Sequence, residues 1–361
     1  MCTSPITIEN PNFRQGKLGF NRIHNTIDKY IQVPCGHCRQ CIATKQSYFL
    51  QKYDVELMDN ELFFFTLTYK DDFLPRFPDI IPEFAGLPCF RISDFQKMIK
   101  RIRKRVKFDF KYVLVCEYGG AKHRPHYHGL LSLPRSLIPD IFTARQYEKM
   151  LWQLFFDEWR INLGSTRKPK YEKLFDYYNL FGRRNFDFHY VEHFYNAEQS
   201  LPYYVSKYLF KYDSYFNSLY RRIRALDDNQ QFLYDVEEQK FLLQHFRPRL
   251  CFSKDFGFAH SQEQKDYIEH CVNSSLSMDP TSFPQYSYKI TGKKFQLAPI
   301  YRNKFLSLSQ VLSIYDARDH EQDSMSVLHS SSKSELESSS KQSVEAYKDL
   351  QLLRSKLDHS Y

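Results

Sequence analysis

The chain has 361 residues, of which 42% are hydrophobic, so it can bury a sizeable core and is not a disordered protein. A formal net charge of +9, from 51 Lys and Arg residues against 42 Asp and Glu residues, favours a polyanionic partner. No apolar run reaches the length of a membrane span and no signal peptide is visible, so we expect an intracellular protein with no membrane partner. Eight cysteines in such a chain predict thiols or metal ligands, not disulfides.

Strand-like and helix-like segments alternate through the first 212 residues. The predicted strands are residues 63–69, 112–117, 125–132 and 186–192. The predicted helices are one directly after residue 41, one at 93–107 with Ser93 as its N-cap, and two more at 144–159 and 201–212. Because a short turn at Gly119 and Gly120 joins two predicted strands, we expect an α+β fold, an antiparallel β-sheet flanked by helices.

Four units are predicted along the chain. Residues 1–58 form a Cys-rich, metal-binding N-terminal element with a helix, and residues 59–213 form the core. Residues 214–316 form a mainly helical C-terminal accessory region, with a possible strand at 249–253. Residues 317–361 hold a Ser-rich linker and a short terminal helix.

The sharpest chemical motif is His126-Tyr127-His128 in the third predicted strand. Residues two apart on a strand point to the same face, so both imidazoles can meet one divalent ion. Glu117 ends the preceding predicted strand and is the expected oxygen ligand, with His123 as the alternative. Two imidazoles and one carboxylate leave positions open for a substrate oxygen, which suits Lewis-acid work on a phosphodiester. Catalytic zinc is a further alternative, although the HExxH helix of zinc proteases is absent.

A second motif is the tyrosine pair Tyr204 and Tyr208 in the helix predicted at 201–212. Residues four apart on a helix share one face, at a separation of about 6 Å. Lys207 stands beside the pair, and a phenol near a lysine or a metal-bound phosphate can act as a nucleophile. Taken alone, the pair is better explained as packing in a tyrosine-rich protein.

Cys35, Cys38 and Cys41 make two successive CxxC steps. In a reducing compartment this spacing is typical of a closed structural metal site, with Zn²⁺ as the expected ion and an iron–sulfur cluster as the alternative. Three thiolates need a fourth ligand, for which Cys2 is the first candidate and His37 the second.

The helix predicted at 93–107 carries an apolar stripe and seven basic residues between positions 97 and 107. This pattern predicts a helix that packs on a core and presents a basic outer face, which favours nucleic-acid contact. The predicted DNA contacts are Arg101, Lys104 and Arg105 on this helix, together with Arg124 and Lys211.

Taken in order, these motifs resemble a known family. The strings FFTLTY, EYG, RPHYHGLL and YVSKYLFK, with CGHCRQC upstream, resemble the replication initiators of small single-stranded DNA phages, within the HUH endonucleases. The form most similar to this chain is the replication protein of gokushoviruses, a branch of the microviruses. The resemblance covers about residues 1–212, and its His and Tyr strings are specific only when they occur together.

The resemblance implies an HUH/RRM-like nickase core, in which His126, His128 and Glu117 bind Mg²⁺ or Mn²⁺ and Tyr204 and Tyr208 cut and rejoin DNA. Such an enzyme starts rolling-circle replication by nicking single-stranded origin DNA and holding the 5′ end as a phosphotyrosine. Its partners would be single-stranded and replicative-form viral DNA in the cytoplasm of an infected bacterial host. Because the chain has no Gly-rich phosphate loop, a host helicase and a host polymerase are further expected partners.

Other functions are compatible with parts of the pattern. A relaxase or transposase of the same fold would share the chemistry. A non-catalytic, zinc-containing nucleic-acid-binding protein would use its histidines and tyrosines for packing alone. A zinc hydrolase is disfavoured because no general base is recognisable.

Overall fold

The computed structural model describes residues 5–9, 30–35, 38–120, 122–176, 187–191, 213–227, 229–289, 292–307, 309–311 and 313–314. Several predictions fall on other residues. Those outside the described ranges are Cys2, His37, the tyrosine motif with the helix predicted at 201–212, and the Ser-rich linker with the terminal helix.

The described chain is an α+β protein, as predicted. Its strands are β1 (Ile6–Glu9), β2 (Tyr30–Val33), β3 (Asn60–Leu67), β4 (Lys111–Tyr118), β5 (Pro125–Pro134), β6 (Arg160–Asn162), β7 (Tyr171–Lys173), β8 (Asp187–Tyr190), β9 (Leu250–Phe252), β10 (Gln285–Ser287) and β11 (Lys294–Gln296). Its helices are α1 (Arg39–Asp59), α2 (Ile92–Arg105), α3 (Ile141–Glu158), α4 (Ser214–Ile223), α5 (Val236–Phe246), α6 (Gln262–Met278) and α7 (Pro299–Phe305). No helix within these ranges has both the length and the apolar character of a membrane span.

One five-stranded sheet forms the centre of the molecule. Its strand order is β8-β3-β5-β4-β9, and all neighbours are antiparallel. The four strands predicted from the sequence are present, and β9, predicted near residues 249–253, joins them as an edge strand beside β4. β5 is the central strand. Three two-stranded ribbons, β1–β2, β6–β7 and β10–β11, complete the strands of the described ranges.

Helices cover both faces of this main sheet, because side chains alternate between the faces along each strand. Tyr127 of β5 packs with α2 and α3 in one core. Leu130 of β5 packs on the other face, with Tyr53 of α1. His126 and His128 occupy the same alternate positions as Leu130, so they lie on the face that α1 covers.

α1 also connects the main sheet to the C-terminal region. Val55 of α1 shares a core with Ile268 of α6. The fully buried Glu56 accepts hydrogen bonds from Lys111 Nζ at 3.0 Å and from the Gly257 amide at 2.8 Å. Because α1 presents buried side chains to both neighbours, the mainly helical accessory region packs directly on the core.

Two helices begin earlier than predicted. α2 begins one residue before Ser93 and has no side-chain cap, so the prediction of Ser93 as its N-cap is wrong. α3 begins at Ile141, about one turn before the predicted residue 144. The side chain of Asp140 accepts a hydrogen bond from the Thr143 amide at 2.7 Å and so caps this additional turn.

Candidate active site

Two nearly parallel imidazoles lie on the central strand of the main sheet. The strand register places Glu117 of β4 opposite His126, and Thr66 of β3 opposite His128. The two rings are inclined by 9° and their centroids are 6.4 Å apart. Both histidines and Glu117 therefore share one face of the sheet.

The side chain of His128 is held from two sides. Its Nδ1 lies 3.0 Å from the Thr66 hydroxyl, and its Nε2 lies 3.1 Å from Oε1 of Glu117. The other carboxylate oxygen, Oε2, is buried and has no hydrogen-bond partner among the described residues. A buried oxygen without a partner costs free energy, and a bound cation would remove that cost. Glu117 is therefore the candidate oxygen ligand of a metal site.

A backbone oxygen orients the ring of His126. Nδ1 of His126 lies 2.8 Å from the Arg124 carbonyl oxygen, so Nδ1 carries the proton and donates it. Nε2 then holds the lone pair that a metal ion needs. Burial lowers the pKa of His126, so this ring stays neutral to a lower pH than an exposed imidazole.

The three groups do not form a closed ligand shell as they stand. Among the residues that the structure describes, one group alone brings three donor atoms within 4.8 Å of one another, and that group is made of cysteines. Metal binding between the histidines therefore requires the ring of His126 to approach His128. His123, the alternative ligand, is stacked on Tyr215 with the ring centroids 4.2 Å apart.

The space beside His126 depends on Gly119, the first residue after β4. A Cβ atom at this position would lie 2.8 Å from Cε1 and 3.2 Å from Nδ1 of the imidazole. Gly119 has no left-handed φ, so an alanine fits the backbone and clashes with the ring alone. We expect Gly119→Ala to turn the His126 ring and to weaken Mn²⁺ binding about 10–100-fold, the usual cost of losing an orienting contact.

Gly120→Ala is the matched control, because a Cβ atom at Gly120 meets no atom within 4 Å. Mn²⁺ affinity, measured by electron paramagnetic resonance on both variants, tests the expectation. Melting temperatures show whether each variant is folded. Equal Mn²⁺ affinities in the two folded variants would show that Gly119 does not position the ring.

Arg124, predicted to contact DNA, has partners inside the protein. Its guanidinium donates to the carboxylate of Asp71 and to the carbonyl oxygen of Tyr69. A DNA phosphate at Arg124 would therefore have to displace Asp71, whose side chain is 84% exposed.

The residues of the predicted tyrosine motif lie outside the described ranges: Tyr204, Lys207, Tyr208 and Lys211. The chain on either side of them is anchored at the main sheet. Before the motif, the Val191 amide donates to the Leu62 carbonyl at 2.8 Å. After it, the ring of Tyr215 packs at 4.8 Å from Tyr118 and at 4.2 Å from His123, in the turn that leads into β5.

Three thiols converge at the start of α1. The Sγ atoms of Cys35, Cys38 and Cys41 all lie within 4.8 Å of one another. Cys38 is the N-cap residue of α1, and its amide lies 3.3 Å from Sγ of Cys35, so the first turn of the helix holds the thiols together. The convergence predicted from the CxxC spacing is confirmed. The predicted fourth ligand, Cys2, lies outside the described residues.

Two of the basic residues predicted to contact DNA have a partner inside the protein. Nε of Arg101 and Nη1 of Arg105 each lie 2.8 Å from the buried carboxylate of Glu158. Lys104 is exposed. α2 packs on the sheet face opposite the histidines, so this basic helix and the histidine pair address opposite sides of the molecule.

Three groups around the site were not identified from the sequence: Thr66, Gly119 as a neighbour of His126, and Tyr215. The strand register could have indicated Thr66, because it lies directly opposite His128. No local signal marks Tyr215, because its stacking on His123 joins residues 92 positions apart.

Comparisons with known proteins concern mainly this region. Residues 62–214 match the family model of the viral-type replication-associated protein ORF2. The chain is similar to the replication-associated protein ORF2 of Spiroplasma virus 4, with 28% identity over 142 residues, which is 35% of this chain and 42% of the relative. The chain thus matches about two-fifths of the length of this curated relative. No solved structure matches the chain. The segment matched by the family model contains both histidines, Glu117 and the tyrosine motif.

Proposed function

We propose that this protein initiates rolling-circle replication of viral DNA by nicking one strand with a tyrosine and staying joined to the new 5′ end. The matched family is described as replication-associated, and the similar curated protein is a viral one. The chemistry of the site supports the finer part of the proposal, a metal-dependent endonuclease of the HUH type.

The observation that carries the proposal is the unpartnered, buried Oε2 of Glu117 beside the histidine pair. A carboxylate oxygen with neutral imidazole nitrogens suits Mn²⁺, and the carboxylate also suits Mg²⁺. When bound, such an ion draws negative charge from the scissile phosphate. Glu117, His128 and Nε2 of His126 would hold it.

The protein prepares these ligands with fixed outer contacts. The Thr66 hydroxyl engages one ring nitrogen of His128, and the Arg124 carbonyl engages one ring nitrogen of His126. An outer hydrogen bond fixes the tautomer and the orientation of a metal-binding imidazole. Each ring therefore has one nitrogen committed to the protein and one that faces other partners.

The tyrosine motif is tethered within reach of these ligands. Tyr208 precedes Tyr215 by seven residues, and seven residues span at most about 25 Å. Tyr215 itself stacks on His123 beside the site. The proposal places Tyr204 and Tyr208 against the ligands, with Lys207 favouring the phenolate or steadying the phosphate.

The bond balance explains the use of two tyrosines. The first phenolate attacks phosphorus, the bond to the 3′ oxygen breaks, and that oxygen takes a proton and leaves as a free 3′-OH. The phosphotyrosine conserves the bond energy, so joining needs no ATP. After one round of synthesis, the second tyrosine cuts the regenerated origin. The free 3′-OH then attacks the first phosphotyrosine, releases its phenol and closes a circle.

Covalent capture tests the proposal. The protein is incubated with labelled single-stranded origin DNA, and the products are separated on a denaturing gel. A protein–DNA product that forms with Mn²⁺ and is absent with EDTA supports the nickase. DNA binding without any covalent product in Mn²⁺ or Mg²⁺ would contradict it and would favour the non-catalytic nucleic-acid-binding protein.

We further propose that Cys35, Cys38 and Cys41 bind a structural Zn²⁺, with Cys2 as the fourth ligand. Four thiolates at the usual Zn–S distance of about 2.3 Å lie about 3.8 Å from one another. The observed thiols, all within 4.8 Å of one another, need little movement to reach that arrangement. Because β2 ends two residues before Cys35, a bound ion would fasten this strand to α1.

Cys38→Ser is expected to lower the zinc content from about one ion per chain to near zero, because a structural site needs all its thiolates. Cys251→Ser is the matched control, since both cysteines are half-buried and Cys251 lies in β9, away from the cluster in the sequence. Mass spectrometry of the purified, desalted proteins gives the metal content. Equal zinc in the two variants would remove the site.

The remaining partners follow from the proposed reaction. The substrates would be single-stranded and replicative-form viral DNA, in the cytoplasm of an infected bacterial cell. The sequence has no GxxxxGK phosphate loop, so a host helicase would unwind the duplex and a host polymerase would extend the 3′-OH.

A further inference from the structure

Two basic segments that are distant in the sequence meet on one side of the molecule. Residues 97–109 carry seven basic residues and one acidic residue, a surplus of six positive charges. Residues 157–173 carry five basic and three acidic residues, a surplus of two. Together the two segments account for eight of the nine net charges of the chain. We call them the basic surface.

A single buried carboxylate joins the two segments. Glu158, 1% exposed, lies 2.8 Å from both Arg101 Nε and Arg105 Nη1 and 3.1 Å from Arg160 Nη2. Arg101 also donates to the Arg160 carbonyl oxygen at 3.1 Å. Three guanidinium groups on one carboxylate leave a surplus of two positive charges at this junction.

Further exposed cations flank the junction. Lys97 and Lys104 on α2, and Arg167 and Lys168 between β6 and β7, are exposed and form no ion pair within the described part of the chain. A concentration of like charge on one face destabilises a compact fold by self-repulsion, and a polyanion relieves that repulsion. The guanidinium of Arg160 also lies 4.2 Å from the ring of the half-exposed Tyr171, which offers an aromatic face beside the cations.

We propose that the basic surface binds the phosphate backbone of DNA without reading its sequence. This inference rests on the proposed function for the identity of the polyanion. The basic surface lies on α2 and its neighbours, and α2 packs on the sheet face opposite His126 and His128. DNA that reaches both faces passes around an edge of the sheet. The initiator then keeps hold of flanking DNA while the cleaved end changes partner at the histidine face.

Paired lysine and arginine changes test the basic surface. Lys97→Gln/Lys104→Gln and Arg167→Gln/Lys168→Gln each remove two charges and leave the Glu158 junction intact. Binding is measured without divalent metal, so no cleavage occurs, over a series of salt concentrations. Loss of two phosphate contacts should flatten the slope of log affinity against log salt by about 1.8 on duplex DNA or about 1.4 on single strands.

Lys254→Gln/Lys294→Gln is the control, because both lysines are exposed and lie outside the basic surface. We expect the control to keep a steeper slope than either test variant. The two DNA forms show whether the surface holds duplex or single strands. Wild-type slopes in both test variants, or an equal change in the control, would overturn the inference. Because the assay needs no cleavage, a chain that binds DNA but never forms a covalent product still gives a clear answer.

Discussion

Glu117→Gln is expected to abolish metal-dependent DNA cleavage, with a rate at least about 100-fold below wild type, and to leave DNA binding nearly unchanged. The substitution keeps the shape of the side chain and removes its charge. An amide is a weak ligand for Mg²⁺ or Mn²⁺ compared with a carboxylate, and loss of even an outer partner of a metal costs about 10–100-fold. Binding persists because it rests on phosphate contacts elsewhere.

The same substitution makes a second, independent prediction about stability. In the metal-free wild type, Oε2 of Glu117 is buried without a partner among the described residues. A bound ion stabilises the folded state, by about 2.7 kcal/mol when its concentration is 100 times the dissociation constant. Mn²⁺ should therefore raise the melting temperature of the wild type but not that of Glu117→Gln. Without metal, the variant should melt at or above the wild-type temperature.

Glu61→Gln is the matched control for a buried carboxylate. Glu61 lies on β3 and accepts hydrogen bonds from Arg135 Nε at 2.9 Å and from the Tyr190 hydroxyl at 2.8 Å. Its loss should lower the melting temperature, because a satisfied buried pair is broken, while cleavage per folded molecule is retained. If Glu117→Gln cleaves DNA at the wild-type rate, Glu117 is not a metal ligand and the site must be sought elsewhere.

The sequence predicted the central part of this fold because its signals are local. Strand alternation located β3, β4, β5 and β8, and the spacing of His126 and His128 placed both rings on one face. The CxxC steps predicted the convergence of Cys35, Cys38 and Cys41 for the same reason, since a short loop and one helical turn can bring such residues together.

Features that depend on distant parts of the chain were not predictable in this way. The contact of Thr66 with His128 joins residues 62 positions apart and depends on the register of β3 and β5. The basic helix α2 was interpreted as a DNA-binding face from its composition. Which side of the sheet it covers, and its junction with Arg160 through Glu158, follow only from tertiary packing.

The charge pattern gains a different meaning once the faces are known. A sequence can show that residues 97–107 are basic, but not that Arg101 and Arg105 are committed to Glu158. Removing these two arginines would strand a buried carboxylate, which costs about 3–5 kcal/mol and would confuse stability with binding. The exposed lysines are the residues whose loss reports on DNA contact.

The tyrosine pair gives the second large expected effect. The Tyr204→Phe/Tyr208→Phe double variant should form no covalent protein–DNA product with labelled single-stranded origin DNA in Mn²⁺, because a phenyl ring has no oxygen to attack phosphorus. Each single variant should still allow one cut. The single variants should fail in the second cut that releases a closed circle, because that step needs a free tyrosine while the other holds the 5′ end.

Tyr215→Phe is the matched control for this experiment. Tyr215 is the described tyrosine that stacks on His123, and phenylalanine keeps that ring contact. Burial raises the pKa of Tyr215 to about 12, which makes its phenolate scarce at neutral pH and its hydroxyl a poor nucleophile. Tyr215→Phe should therefore form the covalent product at the wild-type level. A covalent product in the double variant would assign the nucleophile to another tyrosine, with Tyr203 and Tyr212 next in line. Loss of the product in Tyr215→Phe would place the reacting oxygen on α4 and remove the tyrosine motif from the mechanism.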